Sequence, residues 1–202
     1  MSHNDTYAVL RAGQADADVL SQVIADAFFD LPPSPWLIAD PDARMKIFPP
    51  YFRIYVELAL AAGEVHTIHD RAAVALWLPV AAEPSQPPPG YLERLAAVTG
   101  PWLDRFLVFD EELERRHPAG PPHQHLALIA VRPDRQGVGV GTALLAAHHA
   151  RLDEEGTPAY LEAASLRTRD IYLRIGYSDL GPPIQFPDGP AMYPMWRPPA
   201  AA

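Results

Sequence analysis

Val131-Arg-Pro-Asp-Arg-Gln136-Gly137-Val138-Gly139-Val140-Gly141-Thr142 is the stretch on which the reading of this chain turns. It follows the continuous apolar run Leu126 to Val131, which suits a buried strand, and precedes an Ala/Leu-rich segment that stops at Gly156. The pattern predicts a strand, a glycine turn and a helix from about Gly139 to Glu155. Glycines at alternate positions let backbone approach a ligand with no Cβ in the way. The helix start beyond them presents unpaired N–H groups and the positive end of its dipole, which together suit a phosphate or pyrophosphate. Arg132 and Arg135 are expected to add positive charge there. A dinucleotide fingerprint needs G-x-G-x-x-G, but its third glycine would fall on Thr142 or Leu144. A P-loop needs a lysine that this run lacks. The run does satisfy Q-x-x-G-x-G, with Gln136, Gly139 and Gly141.

Working outward, Tyr7 to Arg11 reads as a strand and Ala15 to Phe29 as an amphipathic helix. Leu31 to Pro41 is proline-rich and reads as a loop. Asp42 to Ala62 is helical, with a break expected at Pro49-Pro50 and a stop at Gly63. Glu64–His69 and Ala72–Leu78 form a predicted hairpin around Asp70-Arg71. Pro79 to Gly90 reads as a loop, and Tyr91–Val98 and Pro101–Arg116 as two helices. After the glycine turn and its helix come a strand at Tyr160–Ala163, a short helix at Thr168–Ile175, and strands at Tyr177–Leu180 and Met192–Arg197. The order is mixed α/β rather than strictly alternating.

The composition narrows the options. The chain has 202 residues, 24 prolines, no cysteine and a formal charge of −9. Its apolar content of 49% argues against disorder despite the prolines. Without cysteine there are no disulfides, thiolate metal sites or cysteine nucleophiles. The acidic balance disfavours nucleic-acid binding, which needs a basic face. No apolar run reaches the ~18 residues of a membrane span. The polar Met1–Asp5 start shows no secretory signal, so a cytoplasmic location is expected.

The glycine run and its surroundings resemble the GCN5-related N-acetyltransferases, the GNAT family. The strand His123-Gln-His-Leu-Ala-Leu-Ile-Ala-Val131 leads into the Val-x-Pro-Asp that precedes the family's motif. Tyr160-Leu-Glu-Ala-Ala164 and Ile171-Tyr-Leu-Arg-Ile-Gly-Tyr177 resemble its L-E-A-S strand and Y-x-R-x-G-F helix end. Val74-Ala-Leu-Trp-Leu-Pro79 and Asp188-Gly-Pro-Ala-Met-Tyr-Pro-Met-Trp-Arg197 are similar to the branch containing puromycin N-acetyltransferase. The resemblance implies one α/β domain over 1–202: a mostly antiparallel sheet splayed at the cofactor strand and flanked by helices. Residues 1–122 would be mainly acceptor side, 123–176 the acetyl-CoA core and 177–202 closing strands. A homodimer is compatible with it.

The resemblance also implies an activity: transfer of acetyl from acetyl-CoA to the primary amine of a small molecule. Peptide amine or hydroxyl acceptors, or a non-catalytic acyl-CoA-binding module, are the alternatives. Backbone of Ile129, Ala130 and Val131 would pair with the pantetheine arm. Amides of Gly137, Val138, Gly139, Val140, Gly141 and Thr142 would cradle the pyrophosphate, with Gln136 leading the loop. Thr168 stands where many members have an asparagine that contacts pantetheine. Tyr172 occupies the general-acid position, and a phenol is protonated at neutral pH. Three residues are candidates to deprotonate the amine. Glu162 comes first, then His123, then His125, which shares a strand face with His123. His-x-His also suits a metal, but no third ligand lies near in sequence, so none is expected. His148 and His149 read as packing residues, and Asp110-Glu-Glu-Leu-Glu114 as a solvated helix face. Phe28, Phe29, Trp36, Tyr51, Tyr55 and Trp77 supply aromatics from which an amine pocket could be built, and Asp30 a carboxylate for a cationic acceptor.

Overall fold

A computed structural model describes residues 7–81 and 88–200. The Met1–Asp5 start and much of the loop expected at Pro79–Gly90 lie outside the described residues. The strands are β1 (Val9–Arg11), β2 (Glu64–Ile68), β3 (Ala73–Val80), β4 (His123–Val131), β5 (Ala159–Ala163), β6 (Ser178–Asp179), β7 (Ile184–Gln185) and β8 (Ala191–Arg197). The helices are α1 (Ala17–Phe28), α2 (Pro33–Leu37), α3 (Pro41–Ala62), α4 (Tyr91–Thr99), α5 (Leu103–Arg116), α6 (Val140–Glu155) and α7 (Leu166–Leu173). Strand order is β1-β2-β3-β4-β5-β8-β6, with β7 paired to β8. Every pairing is antiparallel except β4 with β5. This is the mixed, mostly antiparallel α/β arrangement expected from the sequence.

The two faces of the sheet bury different layers. On one side α1 and α3 pack Leu20, Ile24, Phe48 and Phe52 against Val74, Leu76 and Ala130. On the other, Leu144, Leu145 and Leu152 of α6 cover Ala73, Ala75, Trp77 and Leu161. Alternation along β3 and β4 assigns neighbouring residues to opposite layers. Both faces of β3 are therefore covered, which is why its sequence reads as an unbroken apolar run.

Three expectations need correction. The helix expected to break at Pro49-Pro50 runs continuously as α3. The two prolines withdraw N–H donors from the carbonyls of Met45 and Lys46, and both residues are exposed, so water can bond those carbonyls. Phe48 and Phe52 anchor the helix on either side of the prolines, and Asp40 caps it through bonds from the Asp42 and Ala43 amides. The loop expected at Leu31–Pro41 holds the short helix α2, with prolines tolerated in its first turn. The two-residue strand β7 was not anticipated, being too short to show a period. Gly63 does end α3 as expected; a Cβ there would stand 2.0 Å from the Trp77 carbonyl oxygen.

Candidate active site

The parallel pair β4–β5 is the origin of the site. Its register holds only at Gln124–Ala159 and His125–Tyr160, after which the strands diverge. From Leu126 onward one edge of β4 has no strand partner among the described residues, while the other stays paired to β3. An irregularity at Leu76/Trp77 leaves Ala127 as an extra residue of β4, a bulge that bends the strand at the fork. A cleft of about 1040 Å³, its open mouth included, fills the gap.

Beyond the fork, β4 runs into the glycine turn. Gly137 and Gly139 take positive φ values of 79° and 89°, and nothing lies within 4 Å of where either Cβ would be. Gly139 is the N-cap of α6, so the first amides of a four-turn helix point out of this turn. Gln136 holds the turn shut by donating from Nε2 to the Val131 carbonyl at 2.9 Å. The expected local positive charge is largely cancelled. Arg132 pairs with Asp134 at 2.6 Å and Arg135 with Asp70 at 2.7 Å. The anion character of the turn therefore rests on its amides.

Tyr172 and Thr168, on α7, line the cleft with Ile129 of β4. The Tyr172 ring packs edge-on to Tyr177 at 5.7 Å, and burial raises its phenol well above the ordinary value, so it stays protonated at neutral pH. Among the described residues its hydroxyl has no hydrogen-bond partner. Thr168 is already engaged. Its Oγ1 accepts from the Ser165 amide at 3.1 Å and donates to the Ser165 carbonyl at 2.9 Å, completing the N-terminal box of α7.

Glu162 lies across the fork on β5, and its side chain is 6% exposed. His125 Nε2 donates to its Oε2 at 2.9 Å. Burial pushes this carboxyl upward, but the adjacent His125, then His117, outweigh it and hold the group below the usual carboxylate value. His123 does not reach the cleft. It is 2% exposed, with Nδ1 donating to the Pro121 carbonyl at 2.8 Å and Nε2 3.0 Å from His117 Nε2. Burial, with His125 nearby, lowers His117 to about 4. The expectation that no third metal-ligand type accompanies the His-x-His pair is corrected: His117, His125 and Glu162 bring ligand atoms within 4.8 Å of one another. The signal was present as His117, six positions before His123, but only the fold returns it to the strand.

The acceptor end is aromatic. Phe28, Phe48, Tyr51, Phe52, Tyr55 and Phe109 line it. Phe29, by contrast, stacks under Arg44, Trp36 packs on Phe186, Trp77 lies beneath α6, and Asp30 is exposed. Behind the aromatic wall is a polar network that sequence reasoning missed. Asp110, expected on a solvated face, accepts from Tyr91 at 2.6 Å and from Tyr55 at 3.4 Å. Burial pushes its carboxyl up to about 6, against the hydrogen bonds from the two tyrosines. His148 and His149 are packing residues as expected: His148 stacks on Trp77 at 4.0 Å, and His149 lies 3.0 Å from the Tyr177 hydroxyl.

The fork, the amide-lined turn and the apolar cleft together suit a long anionic ligand laid along β4. Comparisons with known proteins identify the family and the fold. The family described as an acetyltransferase (GNAT) domain matches residues 115–197. The solved structure of histone acetyltransferase HPA2 and related acetyltransferase from Corynebacterium glutamicum is 30% identical, over 97% of this chain and 98% of its own, with a TM-score of 0.73. Arylalkylamine N-acetyltransferase 2 from Aedes aegypti superimposes with a TM-score of 0.66 at 12% identity, over 97% of this chain and all of its own (100%). The ribosomal-protein alanine N-acetyltransferase of Escherichia coli gives 0.54 at 17% identity, over 98% and 96%. The last two likenesses concern the fold alone.

Proposed function

Because this chain belongs to the GNAT acetyltransferases, we propose that it carries the acetyl group of acetyl-CoA to the primary amine of a small molecule with an apolar, ring-bearing body. The observation that carries this reading is the join between an aromatic-walled cleft and one buried carboxylate, Glu162, at the fork of β4 and β5. Aromatic walls favour a flat apolar body, and a carboxylate at their inner end favours a basic nitrogen. The likeness to the branch containing puromycin N-acetyltransferase points to the same acceptor class. A peptide acceptor has less support, since the cleft wall offers few polar groups to bond a second backbone.

The residues present fit acetyl-CoA. The unpaired edge of β4 at Ile129, Ala130 and Val131 offers backbone groups to an extended amide-bearing arm. The amides from Gly137 to Thr142 suit a pyrophosphate, and side chains at positions 137 and 139 would intrude on that space. When bound, acetyl-CoA supplies an acetyl group activated as a thioester. The chain's own residues handle protons and position. Glu162, held ionised by its histidine neighbours, takes the proton that frees the amine's lone pair. Tyr172, kept protonated by burial, presents Oη as the donor for the departing sulfur. Thr168 shapes the wall, its hydroxyl being taken up by the amide, carbonyl and hydroxyl of Ser165. His123, whose two nitrogens are both committed, orients His117 rather than meeting substrate.

Thermal shift with acetyl-CoA tests binding, and thiol release across a panel of arylalkylamines, peptides and alcohols tests turnover. Arylalkylamines are expected to turn over fastest. Turnover confined to peptides would overturn the acceptor assignment, and absence of any stabilisation by acetyl-CoA would overturn the cofactor assignment.

A further inference from the structure

The geometry points to a binding site for a divalent transition metal of the zinc type, formed by His117 Nδ1, His125 Nε2 and Glu162 at the fork of β4 and β5. Proton positions decide which atoms are free to bind an ion. The Pro121 carbonyl can only accept, so the hydrogen between it and His123, at 2.8 Å, is on His123 Nδ1. In a neutral ring the other nitrogen, Nε2, is then a lone pair. It faces His117 Nε2 at 3.0 Å, which must supply the hydrogen. His117 is left with a lone pair on Nδ1, and that atom faces Glu162 Oε1 at 4.0 Å.

Two acceptors therefore confront each other, and the nearby Tyr160 hydroxyl, which helps to hold Glu162 ionised, is itself buried without a hydrogen-bond partner among the described residues. Among the described residues Glu162 Oε1, a fully buried oxygen on a side chain 6% exposed, has no hydrogen-bond partner. An unpaired buried carboxylate oxygen is costly, and a cation placed between it and the imidazole satisfies both. Tetrahedral zinc, with bonds of ~2.0–2.1 Å to imidazole nitrogen and carboxylate oxygen, sets its ligand atoms about 3.3–3.4 Å apart, so the 4.0 Å separation needs a closure of roughly 0.6 Å to receive the ion. His125 completes the set from the strand opposite. Its Nε2 hydrogen now bonds Glu162 Oε2; on metal binding the neutral ring keeps one proton, which passes through solvent to Nδ1. His125 and Glu162 both line the cleft, so the fourth position opens toward the acceptor.

The supporting contacts are those of a metal centre. The Pro121–His123–His117 chain selects the ligating nitrogen by bonding the opposite one, the usual outer-shell device for a histidine ligand. The Tyr160 ring packs against His117 at 4.6 Å and His125 at 5.4 Å, restricting both. Two imidazoles and a carboxylate with one open position suit zinc or cobalt better than magnesium or calcium. This inference goes beyond the acetyl-transfer reading, and the ion would occupy the carboxylate assigned there as base.

The test is titration of the tag-free full chain with Co²⁺, followed by visible d–d absorption, then displacement with Zn²⁺. One equivalent of Co²⁺ is expected to give bands that Zn²⁺ abolishes. His117→Ala should weaken binding at least ~10-fold, whereas His66→Gln, in a second histidine group, should leave it unchanged. Should His117→Ala fail to fold, His123→Ala removes the tautomer control and is expected to weaken binding by about 10–100-fold. No band at a large excess of Co²⁺, or equal binding by wild type and the His117 or His123 variant, overturns the site. The readout is the metal itself, so it stands apart from whether any amine is acetylated.

Discussion

Two clusters in this chain combine histidines with a glutamate, and they differ in what surrounds the carboxylate. Glu64, with His66 and His148, lies beneath α6. Arg11 meets it at 2.5 Å, Arg151 at 2.7 Å and His66 at 3.1 Å, so both oxygens are occupied by donors. Glu162, with His117 and His125, has one oxygen bonded and one without a partner, and it borders a cleft. The residue types are alike; the arginines make the first a packed structural pair, and their absence leaves the second chemically available. Burial of titratable groups is therefore a poor guide to function until each hydrogen-bonding position has been assigned.

Substitution of the two carboxylates gives the largest expected contrast. Glu162→Gln should lower kcat by about 10²–10⁴ while retaining the acetyl-CoA thermal shift, and Glu64→Gln should leave kcat at the wild-type level. Equal effects would erase the distinction. Tyr172→Phe comes next. Loss of the proton donor should lower kcat by about 10–10² with little change in KM for the amine, and an unaltered kcat would remove Tyr172 from the chemistry.

The two buried histidines of α6, of which His148 belongs to the structural cluster, should reveal themselves in pH dependence. Burial holds His148 at about 2 and His149 at about 4. Both are depressed below the histidine value of about 6.5, so below that pH the unfolded chain binds protons that the folded chain refuses. Their stability contribution is complete above about pH 6.5 and is lost progressively as pH falls, down to about pH 4 for His149 and about pH 2 for His148. The slope is up to about 1.4 kcal/mol per pH unit for each ring. Urea unfolding at pH 7.5 and pH 5 should show a smaller pH loss for His148→Gln than for wild type. An identical loss would mean that His148 is not held neutral by the fold.

The smallest effect is at the glycine turn. Gly139→Ala forces a Cβ onto a φ of 89° and should cost about 1 kcal/mol of stability. It should also weaken the acetyl-CoA shift, because the new methyl enters the space on which the amides open. Unchanged affinity would move the anion away from this turn.

The strand–glycine turn–helix unit was legible in sequence because everything that defines it is local. Gln136 bonds back only five residues, to Val131, and Gly139 caps the helix that it begins. Glu162 and Tyr172 were picked out as candidates through their flanking residues, and both line the cleft. Asp110 was not, since nothing in Asp-Glu-Glu-Leu-Glu distinguishes the one carboxylate that turns inward to Tyr91 and Tyr55. Pro49-Pro50 misled for a related reason: propensity prices the lost hydrogen bonds, whereas the packing of Phe48 and Phe52 that outweighs them comes from distant residues.

By itself, then, the sequence determined the order of elements, the glycine turn and the identity of the acid and base candidates, all of which depend on neighbours a few positions apart. Only the tertiary structure decided which of several aromatics wall the cleft and that Glu162 keeps an unpaired oxygen. Those properties depend on the divergence of β4 from β5 and on contacts between residues 35 to 55 positions apart, such as Glu162 with His125 and Asp110 with Tyr55. No local pattern encodes them, because the free energy of a buried polar atom is set by which distant partner reaches it.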